Sequence, residues 1–309
     1  MRKKVLLLFP MADGQTGPAI QHAFENLGYV VKAVDAKRQP LDSYSVACEY
    51  RPELVFCSRT TELTAQVAQI KREFSLAIIC MWNVDMREDI DSWRHLYPLI
   101  QLCDYHFVPN TGQLSQWREL KRNSFWLPQG LQNEVYDKPR EITDADRKRY
   151  TCDVAWAGSR TGFHRTDREP FLDAVVALGV NFKQWGCGGA PKVYNEEHNK
   201  MVALSKINIA CTSAELSAKA MEKGTSVRIY KILGAGGFGM ELYRQGIHEI
   251  FPKNTIDCFT SPEELANKVR YWLSHDKERE EIAERGYRWV HTNATYTHRI
   301  KTALEYMEI

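Results

Sequence analysis

The sequence predicts an α/β protein made of two domains, each with a parallel sheet. Three observations carry this. Short, continuous apolar runs alternate with stretches of helical periodicity, and the alternation breaks at a polar stretch near the middle of the chain and then begins again. The chain also has 309 residues, more than one hydrophobic core usually serves. The expected organisation is a first domain over residues 1–128, a linker over 129–150, a second domain over 151–290 and a terminal helical segment over 291–309.

In the first domain, the run from Lys4 to Phe9 reads as a buried strand. It is followed by the glycine loop Asp13 to Pro18 and by a helix marked by Ala19, Ile20, Ala23, Phe24 and Leu27 before Gly28. Strands are expected at Tyr29–Val34, Leu54–Ser58, Leu76–Trp82 and Tyr105–Val108, and helices at Thr64–Phe74, Trp93–Cys103 and Gln113–Lys121. Apolar Phe125–Pro128 leads into the polar, proline-containing linker. Ligands of such sheets bind beyond the carboxyl ends of the strands. Two loops there draw notice. In DGQTGP, Gly14 and Gly17 either face a ligand with bare backbone or only shape a turn, and the spacing is neither a dinucleotide fingerprint nor a P-loop. In WNVDMRED, Asp85 just past an apolar strand is either a carboxylate aimed at a ligand or a helix cap.

The second domain opens with a strand at Cys152–Ala157 and a loop, Gly158 to Arg168, rich in cations. Gly158, Ser159, Arg160, His164 and Arg165 suit a diphosphate held by backbone amides and charge, although surface arginines commonly do no more than solvate. A strand ending in WGCGG and another in SKINIACT follow. Next comes SVRIYKILGAGGF, Ser226 to Phe238, where Arg228 and Lys231 are three residues apart and share a helix face before a glycine cluster. It reads either as a helix meeting a strand at a phosphate site or as a helix ended by glycine with two solvated cations. Ser261, Pro262 and Glu264 mark the start of a helix, and Trp289 to Met307 carries one or two more.

Composition narrows the classes. With 44% apolar and 26% charged residues, and no apolar run near membrane-spanning length, the expectation is a soluble, cytoplasmic protein without membrane insertion. The short VLLLF run reads as a strand, not a leader. Eight scattered cysteines and nine histidines show no metal-ligand spacing, so no metal site is expected. A net charge of +2 is too balanced to diagnose a nucleic-acid partner.

The succession DVAWAGSRTGFHR, WGCGG, SKINIACT, SVRIYKILGAGGFGMELYRQGIHEIF and SPEELANKVRYWLSHDKEREEIAERGYRWV resembles the glycosyltransferases of the CgeB type, with a weaker likeness at WNVD, LCDYHFVPN and LPQG. The resemblance implies a GT-B architecture: two Rossmann-like domains facing across a cleft, with the terminal helix returning to the first. It implies a metal-independent, retaining enzyme with no cofactor, whose donor substrate is a nucleotide-diphosphate sugar. Position by position, Gly158, Ser159 and Arg165 match its first donor loop, Gly186 and Gly188 its second glycine turn, and Arg228 its motif arginine. Ser226, Tyr230 and Lys231 fall on the same helix. The acceptor side would hold Gly14, Gly17, Trp82 and Asn83, with Asp85 as the catalytic carboxylate.

One departure stands out. Related enzymes commonly read R-x-F-E, the glutamate accepting hydrogen bonds from ribose, whereas this chain reads R-I-Y-K, and Lys231 cannot accept such bonds. Glu241 and Glu249 do not match the usual acidic pair. The acceptor class stays open among a glycan, a small molecule, a protein and a modified base of nucleic acid. A noncatalytic nucleotide- or glycan-binding module is the alternative from another class.

Overall fold

Strands that are apolar throughout need cover on both faces, and the chain supplies it. The computed structural model describes residues 3–87, 89–161, 168–212 and 221–309. The chain divides into unit 1, Met1–Gln129 with Lys219–Gly224 and Tyr296–Ile309, and unit 2, Gly130–Ala218 with Thr225–Thr295.

Unit 1 runs β1 (Lys4–Phe9), α1 (Thr16–Asn26), β2 (Val30–Asp35), α2 (Ser43–Tyr50), β3 (Leu54–Cys57), α3 (Leu63–Glu73), β4 (Ile78–Trp82), α4 (Tyr97–Leu102), β5 (Tyr105–Val108), α5 (Leu114–Leu120) and β6 (Ser124–Trp126). The sheet order is β2-β1-β3-β4-β5-β6, parallel throughout. Edge strand β2 is the more exposed one, whereas β3 is buried along its whole length. Alternate side chains feed two apolar layers. One contains Leu6, Leu8, Val55, Cys57, Ile79 and Met81, and the other Val5, Leu7, Phe9, Phe56, Cys80 and Trp82.

Unit 2 runs α6 (Asp144–Tyr150), β7 (Cys152–Ala157), α7 (Glu169–Val176), β8 (Phe182–Trp185), α8 (Asn195–Ala203), β9 (Ser205–Ala210), α9 (Val227–Gly234), β10 (Gly239–Leu242), α10 (Ile247–Ile250), β11 (Asp257–Phe259), α11 (Pro262–Leu273) and α12 (Asp276–Asn293). Its parallel sheet has the order β11-β10-β9-β7-β8. The chain steps from β7 outward to β8, then over to β9 on the other side, which makes the carboxyl ends of β7 and β9 the switch point. The final helix, α13 (Tyr296–Tyr306), belongs to unit 1. Its Tyr296, Ile300, Ala303 and Leu304 complete the layer that contains β1 and α1.

Several local expectations are corrected. The stretch read as a linker packs within unit 2 from residue 130 onward. Tyr136 and Tyr150 are buried, Asn199 Nδ2 donates to Val135 O at 2.8 Å, and α6 starts on a Thr143–Asp146 capping box. The helix expected over Trp93–Cys103 is a 3-10 segment at Ile90–Leu96 followed by α4. Pro98 lacks an N–H and fits the first turn of a new helix, not the interior of a continuing one. Helices α2 and α8 fall where none was expected. Ser261 caps α11, accepting from Glu264 N at 3.1 Å, while the Glu264 carboxylate turns to Thr260 N and Oγ1 instead of closing the box on Ser261. Among the described residues no helix is long and apolar enough to cross a membrane.

Candidate functional site

At the carboxyl ends of β7 and β8, unit 2 has an open cavity of about 300 Å³. Ala157, Gly158 and Ser159 line one side, Trp185 and Gly186 another, and Val227, Arg228 and Lys231 of α9 a third; Tyr136, Lys192, Val193, Tyr194 and His198 close it.

Backbone geometry brings the loops close. Trp156 Nε1 donates to Gly158 O at 3.0 Å, which holds the turn after β7 against the sheet. Gly158 has φ +149°, and a Cβ there would lie 2.7 Å from the Arg228 guanidinium, so only glycine leaves room for it. Gly186, φ +77°, turns the chain after β8, its N–H donating to Pro191 O at 3.0 Å. Ser159 Oγ donates within its own loop to Thr161 O at 2.5 Å.

Arg228 is fixed from three directions. Its Nε donates to Ala157 O at 2.9 Å and Nη1 to Cys211 O at 3.3 Å, and the guanidinium carbon lies 4.4 Å from the Trp156 ring centre. The first turn of α9, with Ser226 as the extended N-cap, carries N–H groups that have no acceptor within the helix. An anion at that point meets a positioned cation and a helix N-terminus together.

Lys231 lies one turn further along α9, its Nζ 4.6 Å from the Tyr136 ring centre. Removal from water, followed by the nearby Arg228, lowers its pKa to about 8. His198 is buried beside it, stacked edge-on to Tyr136, and its pKa falls to about 3 by burial with Lys231 and Arg228 adding to the effect. It is neutral at physiological pH. Its Nδ1 has no partner among the described residues.

Behind the cavity, Glu241 at the end of β10 is buried. It accepts Thr212 N at 2.9 Å, Thr212 Oγ1 at 3.2 Å, Thr225 Oγ1 at 3.1 Å and Leu242 N at 3.0 Å. Burial raises its pKa, and these bonds together with the Arg228 charge oppose the rise. This carboxylate ties together the two ends of the segment that leads from β9 into α9.

Of the residues singled out from sequence, Gly158, Ser159, Gly186, Arg228 and Lys231 line one cavity. Others lie elsewhere. Tyr230 is fully buried and packs on Phe251 at 4.9 Å between ring centres, because its position on α9 faces the core. Arg160 pairs with Asp173 and donates to Gln184 Oε1 at 3.0 Å, so its charge is spent on α7 and β8. Gly188 sits at an exposed turn. Ser226 is the N-cap residue of α9 and does not line the cavity. His164 and Arg165 lie outside the described residues.

In unit 1, Trp82 is core: it is fully buried, donates Nε1 to Leu127 O at 3.1 Å and packs against Tyr296. Asn83 is buried and its Oδ1 accepts Asp85 N at 3.2 Å, which shapes the loop. Asp85 is half-exposed and ion-paired with Arg59. Arg59 and Arg87 both lie over the Trp93 ring, at 5.4 and 4.5 Å. Gly14 takes φ +75° in its turn, and a Cβ on Gly17 would lie 2.4 Å from Pro10 O, so packing of α1 on the end of β1 accounts for that glycine.

The cavity walls from Tyr136, Lys192, Tyr194 and His198 were not expected. Their only sequence signals are an aromatic residue in a polar stretch and a histidine in a weakly apolar helix.

Comparison with known proteins decides the architecture. Over 99% of this chain and 99% of theirs, HepE of Anabaena in complex with UDP-glucose superposes with a TM-score of 0.65 at 10% identity, and sucrose-phosphate synthase of Thermosynechococcus elongatus with 0.64 at 10%. The fold is GT-B. A putative UDP-N-acetylglucosamine 2-epimerase of Listeria monocytogenes also matches, with a TM-score of 0.58 at 10% identity over 100% of this chain and 98% of that one, so the architecture serves more than one chemistry. Residues 164–305 match the family model described as glycosyl transferase-like. No curated protein matches the chain.

Proposed function

We propose that this chain is a glycosyltransferase of the CgeB type that moves a sugar from a nucleotide-diphosphate sugar to an acceptor hydroxyl. The observation that carries the reading is the placement of Arg228: a cation at a helix N-terminus, locked against Gly158 at the carboxyl edge of a parallel sheet. The glycosyl transferase-like match over residues 164–305 and the UDP-glucose complex of HepE support the donor class.

In the reaction, the bond from the sugar's anomeric carbon to the diphosphate oxygen breaks and a bond to the acceptor oxygen forms. The electron pair leaves with the diphosphate, and the acceptor hydroxyl gives up its proton. Arg228 and the N–H groups of α9 stabilise the charge gathering on the departing diphosphate, and the chain's own cations serve in place of a metal. Retention is the outcome we favour, with the leaving phosphate taking the proton. Asp85, already paired with Arg59, is better suited to hold an acceptor hydroxyl than to remove its proton. The eight cysteines, all unbridged, suit a cytoplasmic enzyme.

A noncatalytic nucleotide-binding module is the second reading, favoured by the same Arg59–Asp85 pair, which leaves that carboxylate committed to a salt bridge. One experiment separates them. Isothermal titration with UDP, ADP and GDP and their sugars, followed by chromatography for hydrolysis or transfer, gives both affinity and turnover for the enzyme and affinity alone for the module. Absence of any nucleotide binding by folded protein rejects both.

A further inference from the structure

Among the described residues, the cavity of unit 2 is lined by the cations Arg228, Lys231 and Lys192 and by no carboxylate. Its two deeper cations are not equivalent. Arg228 donates to two backbone carbonyls and lies within the field of buried Glu241. Among the described residues, the charge acting on Lys231 is that of another cation, Arg228, and the Tyr136 ring lies beneath it. The same wall holds His198, buried and neutral, with a ring nitrogen left without a partner among the described residues. A desolvated ammonium and an imidazole able to donate from Nδ1 together form an anion receptor. A neutral sugar diol placed there would find no carboxylate among the described residues to accept its hydroxyl protons.

We propose that the ligand of this cavity is a nucleotide carrying an anionic group in addition to the phosphates held at Arg228, and that this second anion sits between Lys231 and His198. The proposal rests on the nucleotide-binding reading above. Residues 228 and 231 are one helical turn apart, about 4.5 Å along the axis, so the second anion lies on the nucleoside or sugar next to the phosphates. Two sources share this chemistry, a phosphate ester on the ribose and a carboxylate on the sugar. Among the described residues, the titratable groups that share the cavity wall with Lys231 are Arg228 on its own helix, His198 on α8, Tyr136, Tyr194 and Lys192. An anion placed among them raises the Lys231 pKa, so binding takes up a proton near pH 8.

The test is calorimetric titration of the full chain with matched pairs. UDP-glucose against UDP-glucuronate probes a sugar carboxylate. UMP against uridine 3′,5′-bisphosphate, with the adenosine pair alongside, probes a ribose phosphate. We expect the anionic member of one pair to bind about tenfold or more tightly than its neutral counterpart, and that pair identifies the source. The preference, and the proton uptake seen in buffers of different ionisation enthalpy, should vanish in Lys231→Met and in Lys231→Gln, each checked for an unchanged thermal transition or a higher one. If nucleotides bind but no anionic member gains, or the gain persists in both variants, this proposal falls and the nucleotide site stands. If no nucleotide binds at all, the proposal falls together with the reading beneath it.

Discussion

Glu241 and Thr225 are joined by a 3.1 Å hydrogen bond, Thr225 Oγ1 donating to Oε2, and Thr225 is the residue before the N-cap of α9. The same carboxylate holds Thr212. Both ends of the segment between β9 and α9 are thereby fixed to β10, and with them the direction in which Arg228 points. Glu241→Ala strands several buried donors and should destabilise unit 2 by about 3 kcal/mol, measured by urea unfolding. Glu241→Gln keeps one carbonyl acceptor and should lose less stability.

Arg228→Ala should weaken nucleotide-diphosphate binding by about tenfold or more, read by titration calorimetry. Arg228→Lys keeps the charge but cannot reproduce donation to both Ala157 O and Cys211 O, and should fall between the two. Gly158→Ala should imitate Arg228→Ala without touching the arginine, because its Cβ would lie 2.7 Å from the guanidinium. Wild-type affinity in Arg228→Ala would place the diphosphate elsewhere.

Acid should destabilise the protein through two histidines. His106 in unit 1 and His198 in unit 2 both titrate near pH 3 in the fold, by burial first and neighbouring cations second. The unfolded chain takes up these protons below about pH 6.5, so stability is lost as pH falls from 6.5 towards 3 and is unaffected above that range. At pH 5 each histidine should account for about 2 kcal/mol. Equilibrium unfolding at pH 7 and pH 5, with His198→Phe for comparison, checks this. Lys231 acts in a separate window: its lowered pKa means the unfolded chain holds more protons between about pH 8 and 10.5, and stability should rise across that range.

Asp85→Asn removes the ion pair to Arg59 while keeping the shape of the side chain. If Asp85 holds the acceptor, sugar transfer should fall by about a hundredfold with nucleotide affinity unchanged within twofold. Parallel transfer and binding assays read the two effects apart. An equal loss in both would mean that the substitution disturbs the fold.

The strand–helix alternation was legible because β1, β3, β4 and β7 are apolar over most of their length, the pattern of strands buried on both faces. Helices α2, α6 and α8 were not legible. Helix α6 buries only Tyr150, and α8 buries His198 and Asn199 beside Met201 and Val202, so neither shows a clean apolar face. The glycine loops and Arg228 could be picked out because they follow strands directly. Tyr136, Lys192 and His198 could not, since tertiary packing alone brings them to the same wall. Tyr230, Trp82 and Arg160 show the opposite error: an aromatic or cationic residue near a glycine loop looks the same in sequence whether it meets a ligand, the core or an aspartate.

The place of α13 has a consequence for biosynthesis. Tyr296, Ile300, Ala303 and Leu304 wall the layer that contains Val5, Leu7 and Phe9, so β1 is sheltered by residues synthesised only after all of unit 2. The residues of unit 2, 130–218 and 225–295, all emerge before them. Residues 1–129 therefore wait with an oily flank uncovered until residues 296–304 have been made, and a nascent chain stalled before residue 296 should be the form that chaperones hold.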